Sequence, residues 1–93
     1  HTYVDGDDPA AWASAITPAT RLIFVETPSN PGLALVDLTR LGALARRRGI
    51  PLVVDNCFCT PVIQRPLELG ASLVVHSATK FIDGQGRTLG GAL

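Results

Sequence analysis

The chain has 93 residues, is 46% hydrophobic and 17% charged, and sets eight basic side chains against eight acidic ones for a net charge of zero. That balance offers no electrostatic footprint for a nucleic acid or a membrane surface, and no apolar run nears the roughly 20 residues of a membrane span. The chain starts at His1 without a basic-then-apolar leader, so no targeting segment is expected.

The elements follow in chain order. Asp7-Asp8-Pro9 reads as a helix start, with an acidic cap and proline at the first helical position. "AAWASAI" continues it until Pro18, and Trp12 is expected to be a packing residue. "RLIFVE" (21–26) is a β-branched and aromatic run, hence a strand. "TPSNPG" (27–32) is a loop. Asp37 caps a second helix whose Leu38, Leu41, Leu44 and Ala45 share one face. Arg46-Arg47-Arg48 fill its last turn, complementing the helix dipole rather than forming a basic binding patch, and Gly49 and Pro51 end it. "PLVVDN" (51–56) is a second strand. "PVIQRPLELG" (61–70) reads as a short helical crossover, and "SLVVHS" (72–77) as a third strand. "GGAL" at the end is expected to open a fourth.

Strand, helix, strand, short crossover, strand describes an α/β fold with mostly parallel pairing. The strand cores are continuously apolar, as in parallel sheets covered on both faces. Too few helices are present to cover both faces, so the chain is expected to be part of a larger protein. Cys57 and Cys59 are spaced C-x-C, too close for an unstrained disulfide. Zinc would need two more ligands, and His1 and His76 are the only histidines. Free thiols in a reducing cytoplasm, and no metal site, are the expectation. His76, ending an apolar strand, is expected to be hydrogen-bonded in place.

The chemistry gathers at the strand ends, because ligands of parallel α/β sheets bind outside the carboxyl ends of the strands. The apolar runs finish in Glu26-Thr27-Pro28-Ser29-Asn30, in Asp55-Asn56-Cys57 and in Ser77-Ala78-Thr79-Lys80. Lys80 is the one lysine in the chain. A lysine whose pKa is lowered by burial can form a Schiff base with an aldehyde, and pyridoxal phosphate is the common aldehyde cofactor. Its ring nitrogen needs a carboxylate to stay protonated, a role that suits Asp55. Ser77 and Thr79 could donate to the phosphate, and Asn30 could reach the phenolic oxygen. Other readings fit less well. No lysine follows a glycine as a phosphate loop requires, and Gly84-Gln85-Gly86 has Leu89 where a dinucleotide fingerprint needs glycine. An ordinary exposed loop lysine remains the bland alternative.

These stretches resemble the Cys/Met metabolism family of pyridoxal-phosphate enzymes. "ETPSNP" (26–31) is similar to the family's E-x-P-[ST]-N-P, "VVDNCFCTP" (53–61) to its DN-[ST]-F-x-[ST]-P, and "HSATKFIDG" (76–84) to the block around its cofactor lysine. The resemblance implies that Lys80 binds pyridoxal 5'-phosphate covalently and moves substrate protons. It implies that Asp55 pairs with the ring nitrogen, that Ser77 and Thr79 bind phosphate, and that Asn30 and Glu26 serve the phenolic-oxygen side. Cys57 stands where the family usually has Thr or Ser, and no role follows for it. The implied fold is the aspartate-aminotransferase type (fold type I). Residues 1–93 would be a fragment of its large, pyridoxal-phosphate-binding domain, inactive alone, with a terminal segment antiparallel to its neighbour and a homotetramer as the full-length assembly.

Within the family, "DGQGRTLGG" (83–91) is most similar to the O-succinylhomoserine sulfhydrylases. That implies γ-replacement on an O-acylhomoserine by a sulfur donor, giving homocysteine in methionine biosynthesis. Cystathionine γ-synthase or a lyase of the same family is the alternative, and a non-catalytic α/β nucleotide-binding module is the alternative of a different class.

Overall fold

A computed structural model describes residues 1–93. Helix α1 (Pro9–Ala15) starts where Asp8 accepts a hydrogen bond from the Ala10 N–H, with Pro9 at the first helical position. Strand β1 (Ile23–Glu26) is shorter at its start than the apolar run suggested, because Arg21 and Leu22 lie exposed before it. Helix α2 (Leu38–Arg48) is capped by Asp37, which accepts from the Arg40 N–H, and ends at Gly49 with φ +65°. Only glycine reaches that conformation without penalty, and the turn satisfies the last carbonyls of the helix. Strand β2 (Leu52–Asp55) follows at once.

The crossover to the next strand is not one helix. Helix α3 (Thr60–Ile63) and a 3₁₀ turn (Pro66–Leu69) are separate pieces. Pro66 is the cause: the residue before a proline is pushed out of the helical region, and Arg65 sits at φ −117°, ψ 83°. Strand β3 (Leu73–Ser77) then runs into a π-type turn (Ala78–Ile82), and β4 (Gly91–Ala92) returns along it.

The sheet order is β1-β2-β3-β4. The first two pairings are parallel and the last is antiparallel. Ile23, Val25, Leu52 and Val54 form one face and pack on Leu38, Leu41, Leu44 and Ala45 of α2, with Trp12 and Ile16 at the margin. This is the expected helical stripe meeting the expected strands. Gly42 lets the 3₁₀ turn approach α2 closely, since a Cβ there would lie 2.6 Å from the Leu69 carbonyl oxygen. The other sheet face is open at its flanks, with Phe24 55% and Leu73 42% exposed, while Val53 between them is buried. One helix layer on one face is what the short helix inventory implied. No helix is long and apolar enough to cross a membrane.

Candidate active site

Parallel pairing brings the three strand ends to one edge, and the register decides which side chains share a face. Glu26 pairs with Asp55, and Asp55 pairs with Val75. Paired residues point the same way, and so does every second residue along a strand. Glu26, Asp55 and Ser77 therefore stand on one face at one end of the sheet, the face that α2 leaves open. Asn56 and His76 fall on the opposite face, toward the helix layer.

Asp55 is half-buried, and the backbone donor that reaches its carboxylate is the Cys57 N–H, at 3.0 Å from Oδ1. The Cys57 thiol is buried and accepts from the Ser77 N–H at 2.7 Å, joining the exits of β2 and β3. Burial pushes the Cys57 thiol above its ordinary value of 9.0, the Ser77 N–H works against that, and the neighbouring Asp55 and Glu26 carboxylates add to it. Cys57, to which the sequence assigned no role, is thus a neutral thiol wedged beside Asp55. The rim of the β2 exit also touches the lysine turn, where Phe58 and Phe81 meet edge to face at 5.9 Å between ring centroids.

Lys80 lies three residues beyond β3, in the π-type turn, with a backbone (φ −90°, ψ −114°) that leaves the helical path. Its side chain is exposed and takes part in none of the ion pairs, which join Arg40–Asp37, Arg65–Glu68 and Arg87–Asp83. The Thr79 hydroxyl is engaged with Gly90, accepting its N–H at 3.0 Å, so it closes the hairpin in this structure. Ser77 leaves its hydroxyl unengaged. Asn30 is exposed on the loop after β1. The edge therefore gathers Glu26, Asp55 and Ser77 directly, sets Lys80 one turn beyond, and leaves Asn30 at the rim. No point is surrounded by three or more His, Cys, Asp or Glu side chains. His76 is buried, but its Nδ1 has no hydrogen-bond partner, contrary to the expectation of a satisfied core histidine.

A buried polar network behind this edge was not legible in the sequence. Asn56 and Thr27 are 0% and 1% exposed. Gln64 Nε2 donates to the Thr27 carbonyl at 3.0 Å and to Asn56 Oδ1 at 2.8 Å. Asn56 Nδ2 donates to the carbonyls of Thr60 and Gln64 at 3.1 and 2.8 Å. The Thr27 hydroxyl accepts from the Val36 N–H. The available signal was the asparagine immediately after a strand; nothing marked a glutamine in the crossover as its partner.

Comparison with known proteins decides the family. The model of the Cys/Met metabolism PLP-dependent enzymes matches residues 1–93. The chain belongs to that family. It is 58% identical over 91 residues to an O-succinylhomoserine sulfhydrylase of Pseudomonas aeruginosa, covering 98% of this chain and 23% of that protein. An L-methionine gamma-lyase of Pseudomonas putida is 52% identical over 84 residues, covering 90% of this chain and 21% of the relative. Among solved structures, cystathionine gamma-lyase from Lactobacillus plantarum, complexed with L-serine, superposes with a TM-score of 0.95 at 41% identity, over 97% of this chain and 24% of that one. The chain thus spans about a quarter or less of the length of the proteins it matches. The expected α/β fragment of a fold type I enzyme is what these likenesses show.

Family membership implies pyridoxal phosphate, and the donor set at the edge fits it. A half-buried carboxylate with one backbone donor suits a protonated ring nitrogen. A free hydroxyl on the same face suits a phosphate oxygen. An unpaired primary amine one turn away suits an aldehyde. The Thr79 hydroxyl alone would have to exchange a partner to take part.

Proposed function

We propose that residues 1–93 form part of the pyridoxal-phosphate-binding large domain of an enzyme that performs γ-replacement on an O-acylhomoserine. In the specific reading, O-succinylhomoserine and sulfide give homocysteine and succinate: a C–S bond forms at Cγ as the C–O bond to succinate breaks. The observation that carries the reading is the register that sets Glu26, Asp55 and Ser77 on one face at the strand ends, one turn before the chain's single lysine.

When bound, pyridoxal phosphate supplies an electron sink for the pair left on substrate carbon when a proton departs. Everything else falls to the side chains. The Asp55 carboxylate holds the proton on the ring nitrogen, because an adjacent negative charge favours the protonated form. Lys80 Nζ would hold the cofactor covalently and, as a free amine, would take the proton from Cα and return protons later. The Ser77 hydroxyl donates to phosphate, joined by Thr79 once it leaves Gly90. Asn30 and Glu26 orient the phenolic-oxygen side of the ring.

The sulfhydrylase reading over a synthase or lyase draws on the stretch 83–91 and on the similarity to the P. aeruginosa sulfhydrylase. The likeness to the methionine and cystathionine lyases supports the alternative of elimination without replacement. The full-length protein given O-succinylhomoserine with sulfide, with cysteine or with neither separates these. Homocysteine with sulfide is expected; cystathionine with cysteine, or 2-oxobutanoate without a sulfur donor, would assign it to the synthases or lyases. A cytoplasmic homotetramer is the assembly and location this reading carries.

A further inference from the structure

The amides of Asn56, fully buried, and of Gln64, half-buried, sit immediately behind the site, on the opposite face of the sheet from Asp55 and Glu26. Their orientation is fixed by chemistry. The carbonyls of Thr27, Thr60 and Gln64 can only accept, so the NH₂ group of each amide must face them. Both Asn56 protons and its oxygen are used, and so are both Gln64 protons. A side chain that cannot donate twice cannot replace either residue.

The network joins elements far apart in sequence. Gln64 reaches across 37 residues to Thr27, the residue after Glu26. Asn56, the residue after Asp55, gives its backbone N–H to Val75 of β3 at 2.9 Å. It also holds Thr60 at both ends, accepting the Thr60 N–H and donating to the Thr60 carbonyl. Thr60 sits at φ +58°, where a β-branched residue is strained. Such strain persists only where the surroundings over-determine it, and it clusters at functional sites. Here the surroundings include the Asn56 side chain and the Gln64 backbone N–H, both of which donate to the Thr60 carbonyl.

We propose that Asn56 and Gln64 are a positioning pair: they lock the carboxyl ends of β1 and β2 together, so that Asp55 and Glu26, on the other face, are held at a fixed separation for the cofactor. The proposal rests on the reading of Asp55 as a cofactor-binding residue. A free amide clamp elsewhere in a fold would add only stability. This one lies one residue from each of two site carboxylates, so it also sets ligand geometry.

The test is made in the full-length protein, reading the dissociation constant for pyridoxal 5'-phosphate by equilibrium dialysis beside the thermal midpoint. Gln64→Met keeps length but loses both donors. Leu44→Ala, in the α2 core away from the edge, is the matched control for lost stability. Gln64→Met is expected to raise the dissociation constant about tenfold, at the low end of what residues supporting first-contact ligands are worth. Leu44→Ala is expected to change it less than about twofold. Should Gln64→Met fail to fold, Gln64→Asn, which keeps the amide but is one methylene short, is read by the same criterion. An unchanged constant, or an equal rise in both variants at equal loss of midpoint, overturns the proposal. Asp55→Ala separates its failure from failure of the site reading: if that variant binds cofactor normally, the assignment of Asp55 is wrong, whereas weakened binding there with normal binding in Gln64→Met sinks the clamp alone.

Discussion

The ends of β1 and β2 and the exit from β3 both present polar groups at one edge of the sheet, by opposite means. At β1 and β2 the backbone is held from behind by the fully buried Asn56 and the half-buried Gln64, whose amide reaches back 37 residues to Thr27. Beyond β3 every side-chain bond is local: Thr79 with Gly90, and Asp83 with the N–H groups of Gln85 and Arg87. Lys80 and most of its neighbours are exposed. Under the proposed site the contrast has a functional sense: a carboxylate that steers a ring nitrogen gains from being immobile, while a lysine that binds cofactor, releases it and carries protons needs freedom. Segments with few buried contacts and exposed hydrogen bonds open at lower free energy than a core.

The comparison can be broken most forcefully with two leucines. Leu52 is 0% exposed in β2, and Leu89 is 90% exposed in the hairpin. Leu52→Ala in the full-length protein is expected to cost about 2–5 kcal/mol in a denaturant titration. Leu89→Ala is expected to stay within about 0.5 kcal/mol. Equal losses would mean that the hairpin is as firmly built as the core.

Asp55→Asn asks whether the rigid half contributes charge as well as shape. The change is nearly isosteric, and Asn caps a turn as well as Asp does. A purely structural Asp55 therefore predicts a near-neutral variant. As the group that holds the ring proton, it predicts bound cofactor with kcat down on the order of 10²-fold and KM much less affected. Steady-state kinetics decides between them.

Gly42→Ala probes the helix layer that backs β2. The new Cβ would meet the Leu69 carbonyl oxygen at 2.6 Å and Gly70 Cα at 3.0 Å. Overpacking against backbone is expected to cost about 1–3 kcal/mol, read as a lower thermal midpoint. A more stable variant, as helix propensity alone would give, would show that the 3₁₀ turn yields easily.

The smallest effect belongs to Cys57, where the two halves meet. Its thiol is raised above 9.0 in the folded protein, so the folded state holds that proton more tightly than the unfolded chain. Its stabilisation is complete below the unfolded value and is lost as pH rises through the raised one. Cys57→Ser should flatten the fall in thermal midpoint as pH rises past the thiol's ordinary value of 9.0. An unchanged slope would mean the alkaline loss arises elsewhere.

The scaffold was legible in the sequence because its signals are local. Asp8-Pro9, Asp37, Gly49 and the apolar runs each fix an element within a few residues. The shared edge of Glu26, Asp55 and Ser77 was legible too, since parallel strands align their carboxyl ends. What sequence reasoning missed depends on contacts across the fold. Pro66 splits the crossover, a rule visible in the sequence but outweighed by an apolar helical pattern. Nothing in the crossover stretch marked Gln64 as a partner of Thr27, 37 residues earlier. The π-type turn at Lys80 spans too few residues to show any periodicity.

The central claim is that Lys80 is the cofactor lysine. Reducing the full-length, cofactor-loaded protein with borohydride and mapping the modified peptide by mass spectrometry tests it most directly. The account predicts a pyridoxyl group on the Nζ of Lys80 and none in a Lys80→Ala variant. A pyridoxyl group on any other residue, with Lys80 unmodified, would contradict it.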